Sequence, residues 1–297
     1  MTPRERGFLL LTSHLGDPQR RVLTPPQLRV LAQRVQTMAP SDPNRDLGEG
    51  DLRKLGYSRE LAQRIVALLE EEDLLDHYLR RARKAGCQPV TRVSPEYPGI
   101  LRYRLGLESP GCLWAKGDLS LLAGPAISLV GSRELLFDNQ AFAQAVGYQA
   151  ARQGLTLVSG NARGADRTAQ ESCLAAGGRV ISIVADELDK QPMREGVLYL
   201  SEDGFEEPFS AQRALSRNRC IHALGRITFV AQATLGKGGT WDGTVKNLRF
   251  GWSPVACFDD GSQAMAQLEQ MGAFAIGPEV LADLEGIAQP EKTVFDP

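Results

Sequence analysis

The sequence predicts an α/β protein in which a parallel sheet follows a small helical region, and three stretches carry that expectation. Ile127 to Val130 is a short apolar strand broken by Gly131-Ser132-Arg133. Leu155 to Val158 is a second strand, followed by a glycine-bearing loop from Ser159 to Gly164 and a helical pattern ending at Gly177-Gly178. A third strand, RVISIVA, begins at once at Arg179. Strand, glycine loop, helix, strand is the spacing of βαβ units, so the strands are expected to be parallel with right-handed crossovers. Both glycine loops then lie at the carboxyl ends of strands, where open α/β sheets bind ligands. Their backbone N–H groups, at helix N-termini, suit phosphate oxygens. The expectation is a phosphate-cradling, Rossmann-like sheet.

The 297 residues suffice for a sizeable core and for two domains, with 42% hydrophobic and 24% charged residues as in ordinary globular chains. The five cysteines are scattered, odd in number and without a CxxC pair, which points to buried thiols in a reducing cytoplasm. Three isolated histidines (His14, His77, His222) offer no zinc or catalytic spacing, so neither metal nor cofactor is expected, and no enzymatic turnover. No apolar run approaches the roughly 20 residues of a membrane helix. The apolar run after the basic start, near Leu9, is too short for a signal peptide and reads as the first helix. Net charge is −2, yet Ser210 to Trp252 holds seven bases against one acid, a patch if the fold gathers them and a solvated helix face if it does not.

Residues 1–85 read as a helical (SAM-like) domain and 86–297 as the sheet domain. Leu9 to Leu11 mark one helix, and Pro25-Pro26 start a second through Leu28, Leu31 and Val35. A loop from Ala39 to Gly50 precedes Leu61, Ile65, Leu68 and Leu69 at helical spacing, with Ser58 as N-cap. Leu55-Gly56-Tyr57, between two helices, fits either a backbone-touching helix-turn-helix module or simple packing. Gly86 ends the helical part. A proline- and glycine-punctuated lead-in follows, with one short strand from Cys112 to Ala115. Beyond the third strand come a short strand at Val197 to Ser201, an acidic turn, a helix through Arg217, the strand RITFVAQA, a third glycine loop LGKGGTWDGTVKNLRF, the strand PVACF, and an amphipathic helix with a tail from Ser262.

Tyr97-Pro98, Gly131-Ser132-Arg133, Ser159-Gly160 with Ala162-Arg163-Gly164 and Asp166, Leu188-Asp189, Ser201-Glu202, Arg217-Asn218-Arg219 and the glycine loop Lys237 to Thr240 occur in one order. That order resembles the DNA-processing protein A family, also called Smf, over roughly residues 90–258. The resemblance implies an extended Rossmann fold that binds single-stranded DNA without dinucleotide chemistry. It further implies protection of incoming strands in natural transformation, help in loading the recombinase RecA, and a homodimer formed through the Rossmann domain. Ala165, Gln170, Asn161 and Gln232 depart from the family's usual residues.

The candidate nucleic-acid-binding residues are Gly131, Ser132, Arg133, Ser159, Gly160, Arg163, Gly164, Arg217, Asn218, Arg219, Lys237, Gly238, Gly239 and Thr240. The glycines permit tight turns, and arginine offers fork geometry to phosphate. Arg217 and Arg219, two apart on a helix, cannot share a direction, so one is expected to bind phosphate and the other to pair with an acid. Asp166, acidic beside an anion site, is expected to cap a helix or orient Arg163. Trp241 and Trp252 are candidates for base stacking or for core packing. A sensor or enzyme for a small nucleotide derivative is the alternative, favoured by Gly238-Gly239-Thr240; it lacks a nearby glutamate for glycosidic cleavage.

Overall fold

A computed structural model of the chain describes residues 1–38, 47–284 and 286–288. Most of the expected Ala39 to Gly50 loop, and the end of the tail, fall outside the described residues. Five helices come first: α1 (Pro3–Thr12), α2 (Pro25–Gln36), α3 (Glu49–Lys54), α4 (Arg59–Leu69) and α5 (Glu72–Lys84). Thr2 with Glu5 and Thr24 with Gln27 form capping boxes ahead of prolines, and Ser58 caps α4 as expected. Leu23, Leu31, Leu52, Ile65 and Leu68 make a small core of their own. Leu9 and Leu10 of α1 and Leu75 and Tyr78 of α5 instead join the core of the sheet. Tyr78 meets Trp114 edge to face at 5.2 Å and Phe205 at 4.8 Å.

The rest of the chain runs β1 (Gln88–Thr91), α6 (Gly99–Leu105), β2 (Cys112–Lys116), β3 (Ala126–Val130), α7 (Phe137–Arg152), β4 (Thr156–Ser159), α8 (Ala165–Ala175), β5 (Arg179–Ile183), β6 (Val197–Ser201), α9 (Ala211–Leu224), β7 (Thr228–Val230), α10 (Gly238–Phe250), β8 (Val255–Phe258), α11 (Gln263–Gln270) and β9 (Phe274–Ile276). The nine strands of the described residues form one sheet in the order β1-β2-β6-β5-β4-β3-β7-β8-β9. From β6 across to β9 every pairing is parallel; β2 and β1 extend the β6 side antiparallel. The fold class is therefore the expected one, a Rossmann-like parallel sheet preceded by helices.

Strand alternation divides the core between two faces. Ile127 and Leu129 of β3 pack with Phe142 and Val146 of α7, while Ala126 and Val130 face Cys220 and Ile221 of α9. Because β3 is central on both faces, it reads as a continuous apolar run, which is why it is legible in the sequence.

The stretch expected as a third glycine loop folds instead into α10. Its Gly243 packs against α9, where a Cβ would come within 3.1 Å of His222 Nε2, so glycine here serves close helix approach rather than a turn. β1, α6 and β9 are additional to the expected elements. β1 is an edge strand and tolerates Pro89 there; β9 has only three residues.

A cleft at the switch point of the sheet

Chain order reverses at β3: the chain runs outward through β4, β5 and β6, then returns to place β7 on the other side of β3. Loops leaving β3 and β7 therefore diverge, opening a crevice at the carboxyl edge of the strands. Gln232 spans it. Its backbone carbonyl accepts from Ser132 N–H (3.0 Å) and Oγ (3.2 Å), its Oε1 accepts from Leu136 N–H (2.9 Å), and its Nε2 donates to Glu134 O (3.2 Å). Thr240 Oγ1 donates to Gly131 O at 2.9 Å, tying the start of α10 to the same loop. The loop after β4 is pressed against it. Gly164 has φ 86°, and a Cβ there would lie 2.4 Å from Ser132 O.

The result is a cleft of about 750 Å³. Of the candidate residues, Gly131, Ser132, Arg133, Arg217, Asn218, Lys237, Gly238, Gly239 and Thr240 line it. Gly160 and Arg163 line a smaller lobe of about 300 Å³ that shares Arg133 and Arg217 with the first. The remaining three do not reach either space. Ser159 is fully buried and accepts from Gln170 Nε2 at 2.5 Å, Gly164 packs beneath the Arg133 backbone, and Arg219 turns to the far side of α9, paired with Glu202 at 2.7 Å. Arg217 and Arg219 thus diverge as their spacing requires. Asp166 corrects one expectation: Arg163 pairs with Glu134, whereas Asp166 Oδ2 accepts from the N–H groups of Gly160 and Ala162, each at 3.1 Å, and fixes the loop before α8.

Arg217 is the unusual group. It is 7% exposed, its guanidinium lies directly over Gly160, and its Nε and Nη1 have no hydrogen-bond partner. Burial holds it below the ordinary arginine value, opposed by Asp166, but an arginine remains a cation. A buried cation with unmet donors is costly unless an anion or acceptor meets them. Two helices begin beside the cleft without a side-chain cap, α7 after Leu136 and α10 after Lys237; α3, α5, α6 and α8 also start uncapped, while α1, α2, α4, α9 and α11 are capped by Thr2, Thr24, Ser58, Ser210 and Ser262. At α8 the first N–H groups are taken within the fold, Ala165 donating to Ser132 O at 3.1 Å and Arg167 to Ala162 O at 3.2 Å, so only the starts of α7 and α10 offer uncapped N–H groups beside the cleft.

The basic surplus between Ser210 and Trp252 is not one patch. Arg213 is consumed internally, bonded to Asp203 Oδ2 and to the carbonyls of Ala185, Glu207 and Pro208. Arg249 lies over the Phe250 ring. Lys237 is exposed on the cleft wall. Trp252 is buried, stacked on Phe250 at 5.6 Å, and Trp241 packs partly buried against the core. All five cysteines are free and buried. Among the described residues no His, Cys, Asp and Glu group is arranged to hold a metal, and no helix is long and apolar enough to cross a membrane.

Three residues of the site were not singled out in the sequence, Arg213 as an internal staple and Asp186 and Phe209 in the smaller lobe; Gln232, noted only as a departure from the family's usual residue, is the clasp. Asp186 alone carried a signal, since it follows directly on the apolar run of β5.

The chain is thus a Rossmann-like α/β protein with a cationic cleft at the switch point of its sheet. The profile of the DNA recombination-mediator protein A family matches residues 88–279, and the chain belongs to that family. It is 30% identical over 193 residues to the DNA processing protein DprA of Streptococcus pneumoniae, covering 60% of this chain and 68% of that protein. It is 25% identical over 224 residues to the protein Smf of Synechocystis, covering 70% of this chain and 55% of the relative. The X-ray structure of the Streptococcus pneumoniae protein superposes with a TM-score of 0.70 at 25% identity, over 95% of this chain and 98% of that one. A Helicobacter pylori DNA processing protein A, described for its single-stranded DNA binding mode, shares the fold with a TM-score of 0.54 at 22% identity, over 68% of this chain and 94% of that one.

Proposed function

We propose that the chain binds single-stranded DNA in the switch-point cleft, holding the strand by its phosphates. The observation that carries this reading is Arg217, a buried cation with unmet donors, flanked by Arg133 and Lys237 on the walls. Phosphate contacts position a strand but carry little base information, so affinity falls steeply with salt. Family membership supports the remainder of the reading: protection of incoming strands during DNA uptake and recombination, delivery to RecA, and a binding rather than a catalytic role in the cytoplasm. The helices of residues 1–38 and 47–85 brace β2 through Tyr78. A homodimer completes the proposal, and its sheet edge at β9, with Phe274 half exposed, is a surface suited to a second copy.

The test is a salt-titrated binding assay with an oligo-dT strand, run beside a panel of mononucleotides. Arg133→Glu and Lys237→Glu are each expected to lower strand affinity by more than about tenfold. Arg59→Glu, on the helical region, is expected to do much less. Equal losses at all three positions would show that the groove lies elsewhere. Unchanged strand binding in the first two, with a mononucleotide bound instead, would assign the cleft to a small nucleotide derivative.

A further inference from the structure

The smaller lobe has a chemistry that phosphate binding does not explain. Asp186 lines it, and a carboxylate repels phosphate. Arg217 feels Asp186 only through space; among the described residues the Asp186 carboxylate has no hydrogen-bond or ion-pair partner. Phe209, 57% exposed, lines the same lobe. The two are held together by design of the backbone. Arg213 Nη1 donates to Ala185 O (2.8 Å) and to Pro208 O (2.8 Å), the carbonyls immediately before Asp186 and Phe209. Asn161, at φ 60°, closes the rim and is fastened by its Nδ2 to Gln191 Oε1 at 3.3 Å. Arg133 and Arg217 form the wall shared with the phosphate cleft.

We infer that this lobe is a nucleobase subsite with a preference for guanine, set by Asp186 and Phe209. The inference rests on the single-stranded DNA reading of the adjoining cleft. A base beside a phosphate held by Arg217 enters the lobe face-on to Phe209, since stacking on an exposed ring tolerates any base. Its Watson–Crick edge, free in a single strand, then meets Asp186. An ionised carboxylate accepts and does not donate. Guanine presents two adjacent donors, N1–H and N2–H, to its two oxygens; inosine keeps only the first. Adenine offers one amino group beside an acceptor nitrogen that the carboxylate repels.

The experiment compares oligo-dT strands carrying one central guanine, inosine or adenine, at fixed salt. Wild-type protein is expected to bind the guanine strand about tenfold more tightly than the inosine strand, the worth of one hydrogen bond to a charged group. In Asp186→Asn, whose amide sets a donor against a donor, the guanine-to-inosine ratio falls to about one or below. Phe209→Ala weakens all three strands by several-fold while keeping their order. Equal wild-type affinity for the three strands overturns the subsite and leaves phosphate-held strand binding intact, as does an unaltered ratio in Asp186→Asn. Absence of binding by any strand overturns both readings.

Discussion

Arg217 and Arg219 sit two positions apart on α9 and separate two kinds of work. Arg219 neutralises Glu202, whose carboxyl burial pushes up and Arg219 pulls down. Arg217 has no such pair and leaves two donors unmet. Arg217→Met is expected to cost less stability than Arg219→Met, because the attraction lost at Asp166, which keeps the Gly160 and Ala162 N–H donors, is offset in part by relief of the unmet donors. Strand affinity in the same variant falls by more than about tenfold. Arg219→Met is expected to show the reverse, costing about 3 kcal/mol by stranding a buried carboxylate while strand affinity changes little. Urea unfolding and binding titrations on both variants decide it; loss of affinity in Arg219→Met alone would place the anion on the other side of α9. The sequence spacing made the divergence of this pair legible. It could not tell which arginine turned inward, because that depends on Glu202 reaching α9 from the end of β6. Nor could it foresee that the Ser132 N–H and hydroxyl are both taken by Gln232.

The elements read most clearly were those whose local pattern and tertiary role agree. β3, β4 and β5 are short apolar runs because both faces are covered, and the loops after β3 and β4 are glycine-bearing because they touch. α10 was missed since Gly238, Gly239 and Gly243 argue against a helix locally, and only packing on α9 overrides that. The glycines of the loops also differ in kind. Gly164 combines φ 86° with two carbonyl oxygens within 2.5 Å of a prospective Cβ, whereas Gly238, at φ 85°, has nothing within 4 Å. Gly164→Ala is accordingly expected to cost about 2–3 kcal/mol, as strained backbone and a clash coincide. Gly238→Ala pays the left-handed backbone term alone, about 1 kcal/mol. Urea midpoints measure the difference, and equal midpoints would mean that the two loops can slide apart.

At the scale of the whole molecule, one buried ring links stability to pH. His222 is fully buried, with Nδ1 3.3 Å from both Thr228 Oγ1 and Asn247 Nδ2 and no partner at Nε2. Burial lowers its pKa from 6.5 to about 3. The unfolded chain therefore takes up a proton below pH 6.5 that the folded chain refuses. The stability contribution is complete above that pH and declines by about 1.4 kcal/mol per unit as pH falls toward 3. His222→Asn is expected to flatten the slope of unfolding free energy between pH 6 and about 4, relative to the parent chain. An identical slope in both would assign the acid sensitivity to carboxylates instead. Such buried networks were not legible: a lone histidine in an α9 pattern carries no mark of its burial.

The helix starts at the cleft bear on how this fold can change over time. Five helices hold their ends with Ser or Thr, but α7 and α10, which begin beside the cleft after Leu136 and Lys237, do not. A serine or aspartate at Leu136 or Lys237 is an ordinary stabilising substitution by helix-cap logic. It would also fill the anion's place with the protein's own oxygen. Selection for heat resistance and selection for ligand retention thus compete for the same few amide groups. A lineage drifting toward greater robustness at these positions would become, by the same steps, a well-folded protein with an occupied and silent cleft.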